Sequence, residues 1–179
     1  VAEAEANPRL GGVTGRVDEV YVERGCVVGA RRDAFGTGTE RCWMPSLGGN
    51  ALYRRSALDQ AGGFNPFIKS WEEGEVCYRM RKRGYEFVCL PERVVTHHTE
   101  KRETFGEGWL RFRKGLYTGF GQVFRSALRH GFLLMYVRTE NRAFLVLGSM
   151  VLGLLPAVYG VAAKDVRWFA AWLGLMAAG

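Results

Sequence analysis

A chain of 179 residues can hold one domain with a sizeable core, or a smaller domain followed by membrane segments. Its formal net charge of +7 is concentrated, because Arg111, Arg113, Lys114, Arg125, Arg129, Arg138 and Arg142 fall in one stretch with few acids. Such a stretch implies an anionic partner: lipid head groups, a phosphorylated substrate or nucleic acid. The four cysteines, Cys26, Cys42, Cys77 and Cys89, form no C-x-x-C pair, and their spacing matches no zinc pattern.

Cys77 and Cys89 sit among apolar neighbours and read as small buried hydrophobes, and nothing demands an oxidising compartment. The chain opens on Val and stops inside an apolar run, so it reads as a fragment cut at both ends.

Taken in chain order, GGVTGRVDEVYVE (11–23) is rich in β-branched and aromatic residues and predicts a strand or hairpin. SLGGNALYRRSALDQAGGF (46–64) predicts a glycine-bearing loop, a short strand through Leu52 and Tyr53, a helix from Ser56 to Ala61, and a stop at Gly62–Gly63. A helix from Glu72 to Arg83 follows, with Gly84 at its C-terminal cap. Its first turn carries Glu72, Glu73 and Glu75, which suit the positive end of a helix. Arg79 lies four residues after Glu75, the spacing of a surface ion pair. YEFVCLP and RVVTHH then read as two strands separated by Pro91 and Glu92. Strands and helices alternate, so the class is α/β. In the second of these strands His97 and His98 point to opposite faces, so only one of them can line a given site.

The character changes near residue 142. From Ala143 to Ala163 the sequence is uncharged, and as a helix it would be about 31 Å long, enough to cross a bilayer core of about 30 Å. Pro156 would kink that helix. KDVR (164–167) breaks the pattern, and a second apolar run follows, half of a hairpin partner. The basic flank places the preceding residues on the cytoplasmic side. Between them, TGFGQVFRSALRHGFLLMYV (118–137) reads as an amphipathic helix lying in the membrane interface, with Arg125 and Arg129 toward anionic lipid.

The order of these pieces carries more than any one of them. GGNALYRRSALDQAGGFNP, with Arg55 spaced to Gly62–Gly63–Phe64–Asn65, then EEGEVCYRMRKRG, then YEFVCLPERVVTHH, resembles the acceptor half of family 2 glycosyltransferases with the GT-A fold. The family pattern is a glycine-bearing loop, R-x-x-x-x-x-x-G-G-F-[DN], an acidic helix E-D-x-D-L-x-x-R-x-x-x-x-G, and strands around a Pro that end in His. The resemblance spans residues 10–118 and is densest from 47 to 98.

It implies that residues 1–118 form the C-terminal half of a GT-A domain with a mixed sheet, its nucleotide-binding half lying outside this chain. Residues 119–142 would then be a basic interfacial segment, and 143–179 a transmembrane hairpin with a truncated second helix. The implied activity is a membrane-anchored inverting transferase that moves a sugar from a nucleotide-sugar to a lipid-linked or cell-surface glycan acceptor. Glu73, at the place of the family's second acid, would be the general base, where the family usually has Asp.

Gly48, Gly49, Asn50, Trp71 and Glu72 would line the substrate, and His97 would help hold a divalent metal, Mn²⁺ or Mg²⁺, at the donor diphosphate. The main Asp-x-Asp metal motif is absent from the 179 residues. The Gln-Arg-Trp signature of processive synthases is absent around GWLRFRKG, which points to one sugar per encounter. The alternative is a non-catalytic, membrane-attached module of the same fold. A nucleic-acid partner is not expected, because no nucleic-acid motif is present.

Overall fold

The computed structural model describes residues 5–99 and 105–178. The class is α/β with a mixed sheet. Strand β1 (Leu10–Glu23) pairs antiparallel with β2 (Cys26–Arg31) at its far end, and with the two-residue β4 (Leu52–Tyr53) near its start. On its other side it runs parallel to β5 (Glu86–Thr99), which pairs antiparallel with β3 (Cys42–Met44). The sheet order is β2-β1-β5-β3.

β5 corrects the expectation of two strands, since it is one strand of 14 residues. Proline cannot donate to a ladder and is accommodated at a bulge. Here Leu90 faces Gly15 and Arg93 faces Arg16, so Pro91 and Glu92 are squeezed out of register together. The bulge presses on β1: a Cβ at residue 15 would lie 2.7 Å from the Glu92 carbonyl oxygen and 2.5 Å from a Val94 methyl. Only glycine fits opposite it.

Helix α1 (Arg55–Ala61) starts one residue before the expected Ser56 and ends at Gly62, whose φ of +85° is the left-handed conformation glycine adopts without strain. Helix α2 (Glu72–Arg81) stops two residues short of the expected Arg83, and Gly84 turns the chain at φ +87°.

α2 is the centre of the first unit. Val76, Cys77 and Met80 are fully buried against Leu47, Ala57, Ala61 and Phe87. Another side meets the helices that follow. These are α3 (Phe105–Arg113), α4 (Thr118–His130) and α5 (Leu133–Thr139), of which α4 packs on α2. There Tyr78 stacks on Phe132 at 5.6 Å and meets Tyr136 edge-on at 5.5 Å.

The pairing of Glu75 with Arg79 is as expected, but its setting is not. Both side chains are buried, at 0% and 6% exposure, so this is a core ion pair and not a surface one. Arg79 Nε donates to Glu75 Oε1 at 2.8 Å and Nη2 donates to Oε2 at 2.6 Å. The same guanidinium donates to the Ala61 carbonyl, and to Gly63 O at 2.7 Å. Ser126 of α4 donates to Glu75 Oε1 at 2.5 Å. The i,i+4 spacing is legible in sequence, whereas the burial comes from α4, which covers that side.

The stretch from 118 to 137 also departs from a single interfacial helix. Gly131, at φ +69°, ends α4 and a new helix begins. Gly119, Val123, Ser126 and Ala127 are buried within the first compact unit, which runs to Tyr136. Arg125, Leu128 and Arg129 remain exposed.

The second unit, Val137–Gly179, holds α6 (Asn141–Ala162) and α7 (Arg167–Ala178) packed on each other. Gly153 seats the Trp172 indole, whose Nε1 donates to Ser149 O at 3.3 Å. α6 has 22 residues, a length of about 33 Å. Among the described residues it is the one helix long and apolar enough to cross a membrane, with a mean hydropathy of 2.1 and most of its surface exposed.

Removing one partner of a buried pair leaves the other charge uncompensated, at a cost of roughly 3–5 kcal/mol. Glu75→Ala and Arg79→Ala should each lower stability by about that amount in urea titrations. Replacing both together by Met and Leu should cost less than either single change.

Candidate functional site

The glycine loop and the head of α2 meet. Trp71 precedes the helix in the left-handed region at φ +69°, and no side chain caps the first turn. The Glu75 N–H donates to the Trp71 carbonyl at 3.0 Å, which begins the helical ladder. Glu72 and Glu73 are half-buried in that first turn. Glu73 Oε1 lies 3.3 Å from where a Cβ of residue 49 would stand. Glycine at 49 therefore gives the carboxylate room and leaves the backbone beside it open.

Below this contact is Cys77, one helical turn after Glu73 and on the same side of α2. Its Sγ accepts from the Leu47 N–H at 3.4 Å and shares a hydrogen bond with the Tyr53 hydroxyl at 3.8 Å. Burial pushes the Cys77 thiol up to about 11. Burial, then the neighbouring Cys77, and then the charges of Glu73 and Glu72 hold the Tyr53 phenol well above its ordinary value. Both groups thus stay protonated at neutral pH.

The remaining expected site residues are distributed as follows. Gly48 is exposed, with Asn50 Oδ1 3.9 Å from its Cβ direction. Asn50 turns to the sheet: its Nδ2 donates to Gly15 O at 3.3 Å and its carbonyl accepts from Thr14 Oγ1 at 3.3 Å. Trp71 is 44% exposed and meets the edge of Phe120 at 6.1 Å, so one part of the indole is packed and another faces solvent.

His97 lies toward the far end of β5. It stands opposite Glu19 on β1, with Nδ1 3.7 Å from Glu19 Oε1. Seven positions separate it from Leu90, the residue level with Gly15 and Asn50. At about 3.3 Å per residue that is roughly 20 Å along the strand. Both His97 and His98 are exposed. Among the described residues no three His, Cys, Asp or Glu side chains converge on one point, so His97 and Glu19 do not by themselves fit a metal centre.

A separate cleft of about 460 Å³ opens on the sheet between Leu10, Thr14, Asn50, Tyr53 and Leu90. It shares Asn50 and Tyr53 with the carboxylate cluster, but Glu73 does not line it.

Sequence reasoning missed Tyr53, Cys77 and Ser126 as members of these networks. Cys77 was within reach of it, since the i,i+4 step from Glu73 puts both on one side of the helix. Ser126 carried a weaker signal, a small polar residue in the apolar stripe of α4. Nothing in the sequence shows that the Tyr53 hydroxyl meets a thiol. No family model matches the chain, and no curated protein matches it.

The thiols give a direct check. Cys26 is exposed and should be alkylated first by iodoacetamide at mildly alkaline pH, whereas Cys77 should react only on unfolding. The sign of the linkage follows from the raised value. Between about 9 and about 11 the unfolded chain loses the Cys77 proton and the folded chain keeps it, so stability should fall as pH rises through that window. Cys77→Ala should flatten this dependence in urea titrations run across the same range.

Proposed function

We propose that this chain carries the acceptor side of a membrane-anchored inverting glycosyltransferase of family 2, with a GT-A fold. The observation that supports the reading best is Glu73, set at the head of α2 against the glycine loop at Gly49. This is where the motif order puts the base. In this reading an acceptor hydroxyl lies over the open backbone of Gly49 and against Glu73. The carboxylate takes the hydroxyl proton as the oxygen attacks the anomeric carbon. The nucleoside diphosphate leaves from the opposite face, and the configuration inverts.

Tyr53 and Cys77, both held protonated, supply a rigid neutral floor that does not compete for that proton. Glu72 orients the acceptor from the same turn, and the exposed part of Trp71 offers an apolar surface to a sugar ring. The nucleotide-sugar site and the Asp-x-Asp motif lie outside residues 1–179. α6 anchors the protein in the bilayer. Arg138 before α6 and Arg142 in its first turn support a cytoplasmic transferase part, near lipid-linked acceptors.

Glu73→Gln keeps the shape and removes the basic oxygen. In single-turnover transfer by the full-length protein it should cost about 10²-fold or more, within the usual 10²–10⁴-fold contribution of a general base, with nucleotide-sugar affinity unchanged. An unchanged transfer rate in Glu73→Gln would remove Glu73 from the reaction. Donor and acceptor binding without any transfer by the unmodified protein would favour the non-catalytic module.

The membrane placement has its own test. Protease added outside sealed right-side-out vesicles should leave residues 1–100 intact, and their digestion would reject the cytoplasmic assignment.

A further inference from the structure

Strands β3 and β5 pair antiparallel with Cys42 directly opposite Cys89. Directly opposed residues project to the same face of a sheet. Their Cα atoms are about 4.5–5.5 Å apart, inside the range of about 4.4–6.8 Å that a disulfide spans. Both thiols are free, and the two interact side chain to side chain. Cys42 is half-buried and open to a small reagent, whereas Cys89 is 1% exposed. The other partners of Cys42 are weak: the Thr37 carbonyl at 3.7 Å and the Met44 sulfur at 3.8 Å.

The other cysteines are not placed to compete. Cys26 is on β2, two strands from β5, roughly 10 Å away in the hydrogen-bonding direction. Cys77 is engaged with Leu47 and Tyr53.

We propose that Cys42 and Cys89 form a reversible cross-strand disulfide by exchange with a low-molecular-weight disulfide. The Cys42 thiolate attacks one sulfur of the reagent, a mixed disulfide forms, and one thiolate of the reagent leaves. Cys89, losing its proton to solvent, attacks the Cys42 sulfur and expels the second thiolate. Two protein thiols lose two electrons and two protons. The reagent disulfide gains both electrons and ends as two thiols.

Cys42 performs the first attack because it is the accessible partner, and Cys89 resolves because it is already in register. The bond would fix the three-residue edge strand β3 to β5. Since β3 leads directly into the loop at Leu47–Asn50, the cross-link would pin the near end of the loop that seats Glu73.

The test uses the whole protein treated with oxidised glutathione and digested with trypsin without reduction. Peptides 42–54 and 84–93 should be recovered joined in most chains, lighter than their sum by two hydrogens, and dithiothreitol should separate them. Cys89→Ser should leave Cys42 as a stable glutathione adduct, while Cys42→Ser should leave Cys89 unmodified. Absence of the cross-link, separate glutathione adducts on both residues, or Cys42 joined to peptide 25–31 would each overturn the proposal.

Discussion

The guanidinium of Arg79 is the fixed point of the first unit. It forms a two-bond fork with Glu75 inside its own helix, and it reaches back to the carbonyls of Ala61 and Gly63 where α1 has just ended. A helix C-terminus leaves carbonyls without partners, and a buried one needs donors from elsewhere. Arg79 is that donor, and Glu75 keeps its charge balanced. Ser126 closes the network from α4. Three helices therefore meet on one ion pair. Because both charges are out of water, the arrangement holds only when every member is in place.

The same network couples the Gly62–Gly63 turn to the acidic helix. Gly62 at φ +85° and Gly63 at φ +70° bend the chain so that the α1 carbonyls face Arg79. A Cβ at residue 62 would stand 3.7 Å from the guanidinium, so space would permit a side chain there and the backbone conformation is what demands glycine. With α1 and α2 locked this way, the start of α2 is held in position, and Trp71 enters it in the left-handed region with its indole against Phe120. The carboxylates of the first turn are presented on a rigid element, as a proton-transfer site requires.

Local structure was legible where local physics decides it. The first strand, the short Leu52–Tyr53 strand, both helices of the motif region and their glycine stops follow from β-branched runs, helical spacing and positive-φ requirements. Tertiary contacts decided the rest. Pro91 reads as a strand break, but a bulge opposite Gly15 absorbs it and the ladder continues. The amphipathic stripe of α4 reads as an interfacial face, and within the first unit Val123 and Ala127 of that stripe are buried. Within the candidate site, Gly49 stands beside Glu73. Asn50 instead uses its amide on Gly15, and His97 lies far along β5 beside Glu19. Sequence spacing predicts neighbours on one element, whereas contacts between elements depend on register, which this sequence does not reveal.

Glu73 and Glu75, two acids of the same helical turn, meet different fates, and the geometry of the helix is enough to separate them. Successive residues turn by about 100°, so Glu73 and Glu75 stand about 200° apart, on opposite sides of α2. The Glu75 side also carries Arg79 and is closed by α4, where a carboxylate persists only as half of an ion pair. The Glu73 side also carries Cys77 and faces the Leu47–Asn50 loop. There the neighbours are a thiol, a phenol and a glycine without a side chain. One helix face is committed to holding the fold and the other keeps a carboxylate half-buried beside the glycine loop. A group in the second setting can accept a proton without dismantling the first, because the pair that fixes α2 does not include it.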